Sequence, residues 1–385
     1  MVTRNDVARL AGTSPAVVSY VMNNGPKPVS EAARRRVLAA VEQLGYRPNA
    51  VARSLRSRRT WTIGVIASDS AGGTSPFFGQ FTRACEEVAW QRGYSVLLGN
   101  SAEDPARAEE YVRRFLERQV DGLVLMRVPV SHERAEEMRG RVPVVTIDHT
   151  APPHFSRLAV DDVQGGFQAT RHLVEHGHRR IGFVGGPMDI TPVRLRAAGW
   201  RRALGEAGLL SDGSGPPEGS DVPDGSGPPD GSGVPGGSAQ PDGSGPPHGS
   251  GVPDGGGLVA EGALSLEGGY DAALRLLSPA GRPTALFASI DDQAIGAMRA
   301  AADLGLRVPQ DVAVVGFDGA REAAYTVPGL TTVSQPIGEM ARHATETLVA
   351  AIEKESEGPL TRTFTATLVT RGSCGCPEPR LHRQA

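Results

Sequence analysis

Four short apolar runs in the sequence lead into side chains that can hold a polar solute. Ser68 and Asp69 follow TIGVIA, Asp148 follows VVTI, Asp291 follows ALFASI, and Asp318 follows VAVVGF. Open α/β sheets bind ligands beyond the carboxyl ends of their parallel strands, so these five residues are expected near one cleft. An ionised carboxylate only accepts hydrogen bonds, while the hydroxyls of a polyol can donate, and a guanidinium would supply the complementary donors. Each acid is equally suited to cap the helix that follows its strand.

A second chemistry stands at the N-terminus, in TRNDVARLAGTSPAVVSYVMNN (residues 3–24). Residues 1–60 hold eleven Arg or Lys against three acids, so this part carries +8 and the remainder −11 of a net −3. Ser14 suits the N-cap of a helix whose free N–H groups and positive dipole end attract phosphate. The Arg-rich surround adds sequence-independent affinity through counterion release. Outward side chains Pro15, Ala16, Ser19 and Tyr20 could then reach base edges in a major groove. The plainer alternative is a small bundle with a solvated basic face.

Other reactive groups form no recognisable constellation. No spacing specifies a nucleophile with its base, so an enzyme is not expected. GFVGGP (Gly182–Pro187) lacks the full glycine pattern of a dinucleotide loop. Cys374-Gly-Cys376 offers two thiols with no spaced partner pair, so neither a metal nor a cofactor is expected. His176 and His178 flank Gly177 at a helix C-terminus, where capping is the natural role. Three cysteines imply no disulfide framework, no apolar run is of membrane-spanning length, and no signal-peptide h-region follows Met1. A cytoplasmic location is the expectation.

These groups need elements to position them. Thr3 with Asp6 forms a capping box ahead of Val7, Ala8, Leu10 and Ala11, and Gly12-Thr13 stops that helix. Ser14-Pro15 opens a second helix carrying Val17, Val18 and Val21, and Asn23 with its neighbours closes it. Ser30 opens a third, to Leu44, with Val37, Leu38, Val41 and Leu44 at helical spacing. Asn49 could cap one more short helix, AVARSLRS. From Trp61 onward, strand-length apolar runs alternate with helical stretches, which predicts doubly wound parallel sheets in two lobes. Residues 211–257 repeat Gly, Ser, Pro and Asp every six residues with almost nothing to bury, which reads as a disordered surface insertion.

Beyond physics, the opening segment together with YRPNAVARSL resembles the LacI/GalR family of bacterial transcription regulators. Matching residues include Asp6-Val7-Ala8, Ala11-Gly12, Ser14, Val18-Ser19, Gly45-Tyr46 and Pro48-Asn49, and further down Gly316-Phe317-Asp318 and Gln335-Pro336. The resemblance implies an all-α helix-turn-helix DNA-binding domain over 1–48 and a hinge helix over 49–60. It further implies a two-lobed α/β domain like periplasmic binding proteins over 61–372, and a tail over 373–385. It implies a homodimer on roughly palindromic double-stranded operator DNA, controlled by a small-molecule effector for which a carbohydrate is one candidate. In this resemblance Pro15, Ala16 and Tyr20 hold base-reading positions, and Ser14, Ser19 and Asn23 complete the contact set. Tyr20 stands where the family commonly has Arg. The helix after Asn49 would form on DNA, with Arg53 beside the phosphates and Ala52 one turn ahead of Leu55. Leu55 itself would wedge into the minor groove, unless it packs on the core. Asp148, Arg196, Asp291, Asp318 and Gln335 match effector or cleft positions. Ile290 replaces a common Asn and Leu264 a common aromatic, a loss that Phe77 and Phe78 could partly offset.

Overall fold

The computed structural model describes residues 2–22, 27–47, 54, 59–69, 75–210, 258–278, 280–356 and 358–377. Asn23, Asn49, Ala52, Arg53, Leu55 and the repeat at 211–257 lie outside the described residues.

The N-terminal unit is three helices, α1 (Arg4–Ala11), α2 (Pro15–Met22) and α3 (Glu31–Leu44). The Thr3–Asp6 capping box is complete, with Thr3 accepting from the Asp6 amide and Asp6 from the Thr3 amide at 2.9 Å. Val7, Ala8, Ala11, Val18, Val21, Val37 and Ala40 form the buried core. Leu10 and Leu38 depart from expectation, being 47% and 45% exposed. Each lies roughly 100° around its helix from the centre of the buried stripe, and a three-helix unit this small buries one stripe per helix.

The larger body has two six-stranded sheets. In the first the strand order is β11-β5-β4-β3-β1-β2, all pairs parallel. Its strands are β1 (Thr62–Ala67), β2 (Ser95–Asn100), β3 (Gly122–Met126), β4 (Val144–Ile147), β5 (Ser156–Val160) and β11 (Thr361–Phe364). In the second the order is β12-β10-β9-β8-β6-β7, parallel except for β10 with β12. It comprises β6 (Ile181–Gly185), β7 (Val259–Glu261), β8 (Ala285–Ala288), β9 (Ala313–Asp318), β10 (Thr331–Ser334) and β12 (Thr367–Val369). Central strands are buried on both faces, as β3 and β6 are at every residue, which is why they read as unbroken Val/Ile/Leu runs.

Helices α4 (Pro76–Gln91), α5 (Pro105–Glu117) and α6 (His132–Met138) follow β1, β2 and β3. Helices α7 (Asp162–Glu175), α8 (Thr191–Glu206), α9 (Leu266–Leu277) and α10 (Asp291–Asp303) serve the second sheet, and α11 (Ile337–Glu353) packs on α4, β3 and β4 of the first. The chain therefore passes between lobes three times: from β5 to α7, from β10 to α11, and from β11 to β12. The sequence pattern implies two lobes without locating these passages, and β11 and β12 do not stand out in it because TRTF and TLV are so short. The expected tail boundary also shifts. Ser373 and Cys374 are buried, with Ser373 Oγ donating to Val314 O at 2.6 Å, so the packed chain runs past residue 372.

Candidate functional site

Between the lobes, beside the first two passages, lies a cavity of about 120 Å³, large enough for a small solute. Ser68, Asp69, Phe77, Asp148, Arg196, Asp291, Asp318 and Gln335 all line it. Ile290 and Leu264 line it as well, so the two departures from the family pattern bear on the cavity itself.

Close helix packing creates its centre. A Cβ at Gly199 of α8 would stand 2.1 Å from Val163 O of α7, so only glycine lets these helices approach as they do. That approach brings Arg196 of α8 onto Asp162 of α7, Nε to Oδ1 at 2.6 Å, with both side chains buried. Arg196 Nη1 also donates to Ser289 O at 2.6 Å and to Asp318 Oδ1 at 3.3 Å, and the guanidinium lies 3.7 Å from the Phe317 ring centroid. Asp318 in turn accepts from Gln335 Nε2 at 2.6 Å. Its φ of 113° is a conformation that non-glycine residues rarely adopt, a local strain that holds its carboxylate at the cavity. On the other side His149 Nε2 meets Asp162 Oδ2 at 2.6 Å, and Arg127 Nη2 donates to Ser68 O at 2.6 Å.

The acids differ in state. Burial works to raise Asp162, but the Arg196 charge and the His149 contact outweigh it and hold the carboxyl below its usual range. Burial raises Asp318 in spite of Arg196 and Gln335. Asp291 is raised well above normal by burial and by the Asp318 charge, and its oxygens are occupied by the Ala320 amide and Thr332 Oγ1, both at 2.6 Å. It is a loop-holding residue at the cavity wall. Asp292 is pushed up to about 6 by burial and by Asp318, Glu322 and Asp69, and no hydrogen bond satisfies its carboxylate among the described residues.

Sequence reasoning missed Asp162, His149, Arg127 and Asp292. Asp162 opens α7, and an acid in a first helical turn reads as a dipole partner. Asp292 follows Asp291 directly and was hidden behind it. The expectation that Cys374 and Cys376 have no partners also fails. Cys374 Sγ lies 3.2 Å from His172 Nε2, and Cys376 Sγ lies 3.4 Å from His176 Nε2, because the chain end folds back onto α7. His178 is engaged elsewhere, Nδ1 to Thr284 Oγ1 at 3.0 Å.

In the N-terminal unit, Ser14 Oγ accepts from the Val17 amide at 3.3 Å, as an N-cap should. Ser14 and Ala16 are exposed while Pro15, Ser19 and Tyr20 are half-buried. Arg36 serves the fold instead, its Nε donating to Ala11 O at the end of α1 at 3.1 Å.

Residues 3–49 match the model of bacterial regulatory proteins of the lacI family. Residues 60–226 match the periplasmic binding proteins and sugar-binding domain of that family, and 248–374 a periplasmic binding protein-like domain. The chain belongs to the LacI family. It is 34% identical over 377 residues to the ribose operon repressor of Escherichia coli strain K12, covering 97% of this chain and all of that one. It is 33% identical to the repressor PurR of Klebsiella pneumoniae strain 342, covering 93% of this chain and 92% of the relative. Among solved structures, the Lac repressor dimer bound to operator and the anti-inducer ONPF matches with TM-score 0.76 and 26% identity, over 97% and 99% of the two chains. The regulator CelR in complex with cellobiose matches with TM-score 0.65 and 28% identity, over 97% and 100%. As a LacI-family member, the chain is a ligand-responsive transcriptional regulator that binds DNA through its N-terminal helices.

Proposed function

We propose that the chain is a dimeric repressor acting on DNA in the cytoplasm, and that its effector is a small, neutral, polyhydroxylated solute held between the lobes. The cavity wall carries this reading. Six carboxylates (Asp69, Asp148, Asp162, Asp291, Asp292 and Asp318) line it against the two guanidinium groups of Arg127 and Arg196. Both guanidinium groups are already engaged by protein oxygens. With Asp291 set aside, since burial drives it toward the protonated form and its oxygens are occupied, five acids still face two guanidinium groups. An anionic effector would therefore meet an excess of negative charge, whereas hydroxyl groups would donate to the open carboxylates. The named relatives and neighbours include a ribose operon repressor and a cellobiose complex, which agrees with a sugar.

In this role Ser14 and the N-terminus of α2 hold phosphate, Pro15, Ala16, Ser19 and Tyr20 face the base edges, and Asn23, Asn49, Ala52, Arg53 and Leu55 complete the DNA contact set. Ser68, Asp69, Phe77, Asp148, Asp318 and Gln335 contact the effector, with Asp292 added, while Arg196 orders the network. A ligand that favours one lobe arrangement shifts operator affinity by a coupling free energy of about 1–3 kcal/mol. The test selects bound genomic DNA with the full chain, then titrates neutral monosaccharides and disaccharides, sugar phosphates and purines against that complex. Release or tightening by a neutral sugar alone supports the reading. A response confined to phosphorylated or purine ligands overturns the effector class, and failure to select any site overturns the repressor.

A further inference from the structure

The chain end carries a set of side chains that the regulator reading leaves unused. His172 and His176 stand four residues apart on α7 and so share one helix face, with ring centroids 4.4 Å apart. Cys374 and Cys376 face them. His172 Nε2 lies 3.2 Å from Cys374 Sγ and 3.7 Å from Cys376 Sγ, His176 Nε2 lies 3.4 Å from Cys376 Sγ, and all four ligand atoms fall within 4.8 Å of one another. We propose that His172, His176, Cys374 and Cys376 form a structural zinc site that ties the C-terminal segment to α7.

Three of the separations, at 3.2, 3.4 and 3.7 Å, approach the edges of a tetrahedral zinc site, and the others, none above 4.8 Å, need close by only about 1 Å. With Zn–S of about 2.3 Å and Zn–N of about 2.0–2.1 Å, the edges of such a site run from about 3.3 to 3.8 Å. Two thiolates and two neutral imidazoles are the donor set of closed zinc sites, and they select zinc over hard cations such as Mg²⁺ or Ca²⁺. Charge balances as well. Each thiol gives its proton to solvent, so two thiolates neutralise the dication and a half-buried location carries no net charge.

The local fold prepares the loop. Gly375 adopts φ 92°, a left-handed conformation that brings the two flanking cysteines onto one side. Ser373, immediately before them, is buried and accepts from the Thr331 amide at 2.8 Å, while its own amide donates to Gly329 O at 2.9 Å. Cys374 is thereby placed by its neighbours, and Thr331 Oγ1 lies 3.0 Å from its sulfur. His176 caps the C-terminus of α7, where the negative end of the helix dipole favours a cation. His176 is exposed and Cys376 half-buried, which leaves a route from solvent.

The full chain is expressed with ample zinc, purified under a phosphine reductant without chelator, and its metal content measured beside that of Cys376→Ser, His176→Ala and His178→Ala. Equimolar zinc is expected in the wild type and in His178→Ala, which lies outside the cluster. Cys376→Ser and His176→Ala, both at the solvent side where folding is least at risk, should lose at least tenfold in zinc affinity by chelator competition. Cobalt in place of zinc should give the intense visible bands of a tetrahedral ion with thiolate charge transfer. Adding zinc to the stripped protein should raise its melting temperature, and should not raise that of Cys376→Ser. Zinc content equal in wild type and Cys376→Ser, a six-coordinate cobalt spectrum, or loss of zinc in His178→Ala would each overturn the site. Capture of a different metal in place of zinc would overturn the assignment to zinc.

Discussion

Replacing Arg196 with Met tests whether the centre of the cavity holds the fold or only the ligand. The guanidinium has three oxygen partners and an aromatic face, of which Asp162, Ser289 and Phe317 are buried and Asp318 half-buried. Its removal leaves Asp162, and in part Asp318, without a countercharge and away from water. Breaking a buried ion pair by deleting one partner costs about 3–5 kcal/mol. Asp162 keeps His149 and Asp318 keeps Gln335, which places the expected loss toward the lower end, at about 3 kcal/mol. The loss has a pH signature. In the native protein Asp162 is held below its usual pKa, so it contributes stability above the unfolded value, and that contribution fades as pH falls through the lower folded one. Without Arg196, burial is opposed only by His149 at Asp162 and chiefly by Gln335 at Asp318, so both carboxyls should bind protons more readily than in the native protein. The penalty should therefore be largest near neutral pH and shrink as acidification protonates the two acids in the variant. Urea unfolding followed by circular dichroism, at fixed protomer concentration and several pH values, measures it. A loss below about 1 kcal/mol, or one independent of pH, would refute the buried-network reasoning. An effector response retained in the variant would show that the network does not order the binding groups.

Asp292→Asn removes a half-buried carboxyl with no hydrogen bond among the described residues, whose pKa is raised to about 6. The folded state then binds that proton more tightly than the unfolded one, so native stability falls as pH rises from about 4 through 6. After discounting for partial exposure, the variant should gain about 1 kcal/mol at neutral pH and lose effector affinity, whereas unchanged affinity in calorimetry would remove Asp292 from the ligand set. Tyr20→Arg should alter preference at one symmetric pair of operator positions, worth about 1–3 kcal/mol, and an unchanged selected motif would show that Tyr20 reads no base. Arg59→Met should leave effector affinity without DNA unchanged but weaken its effect on operator binding; full coupling in the variant would count against this contact. Deleting residues 212–257 leaves 207–211 and 258 as a link within the two to six residues usual between a helix and the next parallel strand. Operator binding and effector response should both survive, and loss of response at an unchanged melting temperature would make the repeat functional.

Much of the fold was legible because its rules are local. Thr3, Ser14-Pro15 and Ser30 each announce a helix start, and buried strands such as VVTI and TIGVIA stand out as strand-length apolar runs. The cavity wall was legible for a similar reason, since the strand-end rule places Asp148 and Asp318 at one edge. What escaped depends on pairs distant in sequence. Asp162 gains meaning only from Arg196, which reaches it because Gly166 and Gly199 let two helices touch. The histidines of α7 and the cysteines near the chain end are some two hundred residues apart, and no spacing rule spans a folded domain.

The passages between lobes explain why a small solute could move a distant helix. The Asp161 amide donates to Phe364 O at 2.9 Å, joining the first passage to the third, and the Gln335 amide donates to Asp318 O at 3.0 Å at the second. Two cavity groups, Asp162 and Gln335, thus stand on the segments whose dihedrals must change if the lobes rotate. From the second passage α11 runs seventeen residues, about 25 Å, along the first lobe. At its far end Ile352 O accepts from Arg59 Nη2 at 3.1 Å, and Glu353 lies 3.9 Å from Arg59 Nη1. Beside it, Asp121 accepts from the Thr60 and Trp61 amides at 2.8 and 2.7 Å, fixing where the linker meets β1. One continuous helix therefore has its N-terminus at the cavity and its C-terminus at the linker that joins the N-terminal helices to β1. A helix packed along its length can move as a unit, so a rotation at Gln335 would be carried toward Arg59, whereas a chain of loops would absorb it, and Arg59→Met tests that coupling.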